Sequence, residues 1–216
     1  MVLELDQTKI DGIIFDLDGT LWDTTQRICE AWNLVLEKHP EIRRRVVDTD
    51  ALAECMGLPM YDIAAKLFPD EDEQVRNDLM DELCVFENGY LEEKGGILFD
   101  GLEETLKCLA KSYPLFIVSN CQDGYIEAFL HAHHMEQYFK DTECWGRTRV
   151  SKGESNKILM ERNDLKNPVY VGDTAGDAQS AVDAGIPFIY AAYGFGSVNQ
   201  YAAKIDDIRE LTEIFA

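Results

Sequence analysis

Two pairs of aspartates close short apolar runs that lie far apart in the chain. Asp16 and Asp18 follow the first run, and Asp173 and Asp177 follow the second. Each run is typical of a short buried strand that opens into a glycine-containing turn. Isolated carboxylates are costly to bury, but carboxylates at the ends of two strands can share one hard cation that binds through oxygen. The pattern therefore indicates a shared cation.

Two further polar segments extend this pattern. Ser119 and Asn120 close a third apolar run, and Lys152 lies between that run and the second aspartate pair. The net charge is −21, so a phosphate ester can bind only where the charge is locally positive. A cation together with Lys152 would supply that charge. The four segments together indicate phosphoryl transfer.

The elements that must position these residues alternate between strand and helix. Short apolar strands separated by helices predict a parallel sheet that is covered on both faces. Ligands bind outside the carboxyl ends of the strands in such sheets, so Asp16, Ser119 and Asp173 should converge. The predicted strands cover residues 10–16, 115–118, 169–171 and 188–191. The predicted helices of this part cover residues 102–112, 122–133, 154–163, 177–184 and 206–214.

A helical segment interrupts this alternation after the first strand. Its predicted helices cover residues 24–39, 50–56, 60–68 and 71–93, the last of them possibly broken, and either Thr24 or Thr25 is expected to cap the first. A segment of about 70 residues is too long for a simple connection and indicates an inserted subdomain. We therefore predict an α/β, Rossmann-like core of residues 1–18 and 96–216, with an α-helical cap of residues 19–95.

Composition narrows the class of protein. The six cysteines form no CxxC pair, which indicates free thiols in a reducing compartment, and the acidic N-terminus shows no signal peptide. No apolar stretch reaches the roughly 20 residues that span a bilayer. The strongly acidic surface disfavours nucleic acid and anionic membranes as partners. We expect a cytoplasmic enzyme with a small-molecule partner; the sequence does not indicate its oligomeric state.

The four segments, in this order, resemble the motifs of the haloacid dehalogenase-like hydrolase superfamily. They read DLDGT at 16–20, SN at 119–120, Lys152, and GDTAGD at 172–177. Segments 56–59 (MGLP) and 193–196 (YGFG) are similar to those of its phosphoglycolate phosphatase branch. The resemblance implies a Mg²⁺-dependent phosphatase that hydrolyses a small phosphorylated metabolite.

The resemblance also implies a role for each motif residue. Asp16 would be the nucleophile that forms an aspartyl-phosphate, and Asp18 would be the general acid and base. Ser119 and the backbone amide of Asn120 would bind phosphoryl oxygens, and Lys152 would hold a cation against them. The metal ligands would be carboxylate oxygens of Asp16 and Asp173 and the backbone carbonyl of Asp18. Asp177 would support the site by orienting Lys152.

Two alternatives share this pattern. A sugar phosphomutase of the β-phosphoglucomutase type carries all four motifs, and Thr20 favours hydrolysis over it only weakly. A non-catalytic binding protein on the same scaffold is disfavoured because the aspartates and Lys152 are intact. The family usually has proline after this lysine, whereas Gly153 follows it here. Cys121 beside the second motif is interpreted as a packed thiol.

Overall fold

The computed structural model describes residues 3–215 and contains a six-stranded parallel sheet. The strand order is β5-β4-β1-β6-β7-β8, and two short strands, β2 and β3, pair separately as an antiparallel ribbon. The predicted α/β class with a parallel sheet is confirmed. The strands are β1 (Ile13–Phe15), β2 (Trp22–Asp23), β3 (Ile97–Leu98), β4 (Leu115–Ser119), β5 (Phe139–Cys144), β6 (Val169–Gly172), β7 (Phe188–Ala191) and β8 (Ala203–Ile205).

Helices cover the sheet and build the cap. The cap helices are α1 (Thr25–Leu36), α2 (Thr49–Ala53), α3 (Met60–Leu67) and α4 (Glu73–Lys94). The core helices are α5 (Leu102–Leu109), α6 (Tyr125–His133), α7 (Trp145–Thr148), α8 (Lys152–Arg162), α9 (Ala175–Ala184) and α10 (Leu211–Ile214). Three short 3₁₀ turns lie at Gln7–Lys9, Glu136–Tyr138 and Ile208–Glu210. Within residues 3–215, no helix is long and apolar enough to cross a membrane.

The register of the central strands places their carboxyl ends at one level. Phe15 of β1 pairs with Ile117 of β4 on one side and with Val171 of β6 on the other. These strands are completely buried because helices cover both faces, which explains their uninterrupted apolar runs. The polar residues that follow each strand are therefore brought to the same edge of the sheet.

The cap joins the core through the β2–β3 ribbon. Trp22 pairs with Leu98 and Asp23 pairs with Ile97, so the strands that leave and re-enter the core lie side by side. The cap helices α1 and α4 pack together, and α4 also packs on α6 of the core. Helix α4 continues through Gly89 without a break, although glycine weakens an isolated helix. The packing of α4 against α1, α3 and α6 stabilises it.

Three expectations about local structure were wrong or incomplete. Strands β2, β3, β5 and β8 were not predicted. Strands β2 and β3 have only two residues each, while β5 and β8 lie at edges of the sheet, where residues are partly exposed and the apolar signal is weak. Thr24 precedes α1, but its side chain does not cap the helix because its hydroxyl donates to Asp18 Oδ1 at 2.8 Å. Thr25 lies within the helix and donates to Asp23.

Candidate active site

Lys152 joins two of the predicted site aspartates. Its Nζ donates to Asp16 Oδ1 at 2.7 Å and to Asp177 Oδ1 at 2.6 Å. The lysine is only 6% exposed, and burial by itself would lower its pKa, but the carboxylates of Asp16 and Asp177 outweigh burial and raise the pKa well above its usual value. The structure thus places the Lys152 ammonium beside Asp16, the residue that follows β1.

Local capping fixes the two helices that carry these groups. Lys152 is the first residue of α8, and the side chain of Ser151 accepts from the Glu154 amide to cap that helix. In α9, Thr174 and Asp177 form a reciprocal capping box. Asp177 Oδ2 accepts from the amide and the hydroxyl of Thr174, while Oδ1 accepts from Lys152. Asp177 is therefore fully engaged in holding the lysine and the helix start.

Asp173 follows β6 and is enclosed by two glycine-containing loops. Its Oδ2 accepts from the Phe195 amide at 2.7 Å. A Cβ on Gly19 would lie 2.3 Å from Asp173 Oδ2, and a Cβ on Gly194 would lie 2.3 Å from Asp173 Cβ, so only glycine allows this approach. Gly19 also has a φ of +80°. Asp173 Oδ1 is buried and has no hydrogen-bond partner among the described residues.

The donor set of this cluster fits a divalent cation. One oxygen from each of Asp16, Asp173 and Asp177 lies within 4.8 Å of the others. Burial and the charge of Asp177 raise the pKa of Asp16, and the same two causes raise the pKa of Asp173 to about 7. Three clustered carboxylates share one lysine, so negative charge is in excess. The unpartnered Oδ1 of Asp173 offers a ligand of the kind that Mg²⁺ prefers.

Asp18 lines the same cleft as Asp16 and is held by two hydroxyls. Tyr125 and Thr24 each donate to its Oδ1 at 2.8 Å, and its Oδ2 takes part in neither bond. Burial raises the pKa of Asp18 to about 6, although these two hydroxyls stabilise the ionised form. A carboxyl group with such a pKa can both give and accept a proton near neutral pH.

Ser119 and Asn120 complete the edge of the sheet. Ser119 is the last residue of β4 and is buried. The side chain of Asn120 donates to the Gly57 carbonyl of the cap at 2.8 Å, so it contributes to the contact between cap and core. The neighbouring Cys121 is buried, and burial raises the pKa of its thiol well above the usual value, which disfavours a nucleophilic thiolate.

A cleft between cap and core opens onto Asp16 and Asp18. It contains about 450 Å³ of space free of protein atoms, including the part open to solvent. Its walls are mainly apolar, with Glu87 of α4 and Gln122 after β4 as polar members beside Ser119. The sequence did not indicate three residues of this cleft: Glu87, Gln122 and Tyr125, whose hydroxyl donates to Asp18. Each of them hydrogen-bonds to a residue that is far away in the sequence; Tyr125 and Asp18, for example, are 107 positions apart.

Glu87 should make stability depend on pH. Burial raises its pKa from 4.5 to about 8. Between these values the folded chain keeps a proton that the unfolded chain has lost, so stability should fall with rising pH, by up to about 1.4 kcal/mol per unit for this one group. Urea unfolding at pH 5.5 and 7.5 measures this effect. The free energy of unfolding of Glu87→Gln, relative to that of the wild type, should be higher at pH 7.5 than at pH 5.5. The exposed Glu73→Gln on the same helix is the control. Parallel pH profiles for wild type and Glu87→Gln would contradict this assignment.

Comparison with known proteins places the chain in a family. The model of the haloacid dehalogenase-like hydrolases matches residues 13–191. The phosphoglycolate phosphatase of Escherichia coli (strain K12) is 29% identical over an alignment of 225 positions, gaps included, which covers 91% of this chain and 85% of that protein. The probable phosphatase IndB of Dickeya dadantii is 28% identical over 200 residues, covering 88% and 85%.

Solved structures show the same fold. A crystal structure of a predicted phosphatase from Clostridium acetobutylicum superposes with a TM-score of 0.78 at 22% identity, covering 95% of this chain and 97% of that one. At such identity the likeness concerns the fold alone. The family model, in contrast, spans most of the sequence and both parts of the core, with the cap between them. The chain therefore belongs to the haloacid dehalogenase-like hydrolases.

Proposed function

We propose that this protein is a Mg²⁺-dependent phosphatase that hydrolyses a small phosphate monoester through an aspartyl-phosphate on Asp16. The observation that carries the proposal is the contact of Asp16 with Lys152 inside a cluster of buried carboxylates, at the floor of the cleft. The phosphatases among its relatives support the same reaction. We also keep residues 19–95 as the proposed extent of the cap.

The first half of the reaction forms the aspartyl-phosphate. A carboxylate oxygen of Asp16 attacks phosphorus, and the bond from phosphorus to the ester oxygen breaks. Lys152, the Ser119 hydroxyl and the Asn120 amide neutralise and orient the phosphoryl oxygens. Asp18, in its protonated form, gives its proton to the leaving oxygen, so that a neutral alcohol departs.

The second half returns Asp16 to its free form. Asp18, now ionised, takes a proton from a water molecule while the water oxygen attacks phosphorus. The bond between phosphorus and the Asp16 oxygen breaks, and inorganic phosphate is released. Tyr125 and Thr24 hold Asp18 in place through both halves, since their hydroxyls fix one carboxylate oxygen and leave the other for proton transfer.

Carboxylate oxygens of Asp16 and Asp173, with the backbone carbonyl of Asp18, would hold the Mg²⁺. The ion would supply positive charge that lowers repulsion between the nucleophile and the phosphate. Asp177 contributes indirectly because its oxygens bind Lys152 and the start of α9. The unpartnered, buried Oδ1 of Asp173 supports this division of roles.

The cap supports a small substrate. The cleft lies between two parts of the protein, so a folded protein could not reach Asp16. Glycines 95 and 96, where the chain leaves α4, would allow the cap to open for release of products; Gly95 has a φ of +67°. The free cysteines, five of them buried, are consistent with the cytoplasmic location that we propose.

Turnover of p-nitrophenyl phosphate with Mg²⁺ tests the proposal. Release of p-nitrophenol with an equal amount of inorganic phosphate is expected, and an acid-quenched sample should contain phosphate bound covalently to the protein. Transfer of the phosphoryl group to a second hydroxyl of a sugar, without phosphate release, would indicate a mutase. Absence of turnover with every ester tried would indicate a binding protein.

Asp18→Asn should separate acid catalysis from nucleophilic attack. Formation of the aspartyl-phosphate should slow by about 10²- to 10⁴-fold with an alkyl phosphate, whose leaving oxygen needs a proton. The loss should be much smaller with p-nitrophenyl phosphate, since p-nitrophenolate leaves unprotonated. Rapid-quench measurement of a single turnover isolates this step. Equal losses with both esters would remove the acid role from Asp18.

A further inference from the structure

Three residues form a buried polar group in the wall of the cleft. Glu87 of α4 is 1% exposed and accepts from Gln122 Nε2 at 3.0 Å and from the indole of Trp32 in α1. All three residues line the cleft that contains Asp16 and Asp18. The phosphoryl chemistry uses none of them, although buried polar groups are costly to keep. Their position points to a role in choosing the substrate.

The hydrogen bonds around Gln122 determine which way its amide points. Asn88 Nδ2 donates to the Asp123 carbonyl at 2.8 Å, so the other atom of that amide, Oδ1, is an acceptor. Gln122 Nε2 donates to this Oδ1 at 2.9 Å and to Glu87 at 3.0 Å. These two bonds use both N–H groups of the Gln122 amide. Gln122 Oε1 therefore remains as an acceptor. It is buried, in a residue 8% exposed, and has no partner among the described residues.

The charge of the cleft is one-sided. Its titratable wall residues are Asp16, Asp18, Glu87 and the weakly acidic Cys121 and Tyr125, and no lysine, arginine or histidine of residues 3–215 lines it. Lys152 lies beyond the wall and is bound to two aspartates. A carboxylate on the leaving group would lose its hydration there and meet acceptors instead of cations. Such an arrangement selects against a negative charge.

The remaining wall is apolar and leaves little room. Ile28, Met56, Met60 and Ile63 of the cap face the same space as Trp32. The free volume of about 450 Å³ includes the part that is open to solvent, so the enclosed space beside these side chains is smaller than this figure. The alcohol part of the ester must therefore be small, with a body that contacts apolar side chains.

We propose that the cleft selects phosphate monoesters of small neutral alcohols that carry a second hydroxyl group, and that Gln122 and Glu87 are the residues that determine this choice. The second hydroxyl donates to Gln122 Oε1, and Glu87 holds the amide in position. A leaving group that bears a carboxylate, such as the glycolate part of phosphoglycolate, is disfavoured. The inference rests on the proposed phosphatase activity and specifies its substrate class.

Matched esters test the inference on the wild-type enzyme. For alkyl chains of two to five carbons, kcat/KM is measured with Mg²⁺ for ω-hydroxyalkyl, alkyl, ω-carboxyalkyl and ω-aminoalkyl phosphates. At the best chain length, the hydroxyalkyl ester should exceed the alkyl ester by about 10-fold and the carboxyalkyl ester by about 100-fold or more. Preference for the carboxyalkyl or the aminoalkyl ester, or no preference, would overturn the inference.

A variant assigns the preference to Gln122. Gln122→Met keeps the length of the side chain and removes the acceptor, so the ratio of hydroxyalkyl to alkyl kcat/KM should fall toward one. Gln74→Met makes the same substitution on the exposed side of α4, where Gln74 donates to Asp78 outside the cleft, so this matched control should keep that ratio. An unchanged ratio in a folded Gln122→Met enzyme would overturn the assignment; should that variant not fold, the wild-type ratios still decide the substrate class. Failure of the wild type to hydrolyse any ester, p-nitrophenyl phosphate included, would instead contradict the proposed function.

Discussion

Replacing Asp16 by asparagine should reduce kcat by about 10⁴-fold or more, because an amide cannot form the aspartyl-phosphate. The side chain keeps its size, and its amide oxygen can still accept from Lys152 Nζ. The metal-free variant should be at least as stable as the wild type, since one of several crowded carboxylates has lost its charge. Steady-state assays, acid-quenched phosphate labelling and urea unfolding measure the three effects.

Asp11→Asn is the matched control for this variant. Asp11 precedes the opposite end of the same strand, where its carboxylate accepts from the backbone amides of Lys166 and Asn167. It therefore tests the loss of an aspartate charge near β1 without touching the cleft. The control should retain the wild-type kcat. Wild-type turnover by Asp16→Asn would rule out the covalent mechanism.

Removal of divalent metal should have the second-largest effect. Dialysis against EDTA should lower activity by about 10³-fold or more, and Mg²⁺ should restore it, because Lys152 alone does not offset the charge of the clustered carboxylates that repel the phosphate. Binding of Mg²⁺ to the folded chain should also raise Tm. The free energy of unfolding should increase by about 2.7 kcal/mol when the Mg²⁺ concentration is 100 times Kd. The thermal shift is a readout that does not depend on turnover.

Asp173→Asn should abolish the thermal shift as well as the activity. The exposed Asp183→Asn in α9 is its control, because Asp183 bonds to Gln179 on the helix surface and lies outside the acidic cluster. Sodium chloride of equal ionic strength separates specific binding from screening. Full activity of enzyme that elemental analysis shows to be metal-free would contradict a metal-dependent mechanism.

The predictable part of this fold is the part that is buried on both faces. Strands β1, β4 and β6 are continuous apolar runs, so their position and the convergence of Asp16, Ser119 and Asp173 follow from a parallel sheet. Strand β5 reads FKDTEC, which resembles a loop. Its acids are instead held by α8, where Arg162 donates to Asp141 at 2.7 Å and to Glu143 at 2.8 Å. Only the folded neighbour explains those charges.

The buried polar group in the wall of the cleft could not be predicted for a related reason. Glu87 lies on a helix whose acidic residues mostly face solvent, and one inward-facing acid does not alter the helical pattern. Its partners come from α1 and from the loop after β4, at separations of 55 and 35 positions. The phosphoryl end, in contrast, carries dense local motifs. Sequence therefore indicates the class of reaction more readily than it indicates the substrate.

The paired strands β2 and β3 hold the two ends of the cap insertion side by side, so the cap can be replaced without moving the strands of the core. Because Asp23 and Ile97 are neighbours across an antiparallel ribbon, a two-residue Asn-Gly turn has the geometry to replace residues 24–96 and close a hairpin on the core. The two ends of the insertion are already held together, so enlarging or shrinking it changes the entropy of loop closure only with the logarithm of its length. Changes within the inserted helices can thus alter the part that contacts the alcohol while the strands that precede Asp16 and Asp173 remain the same.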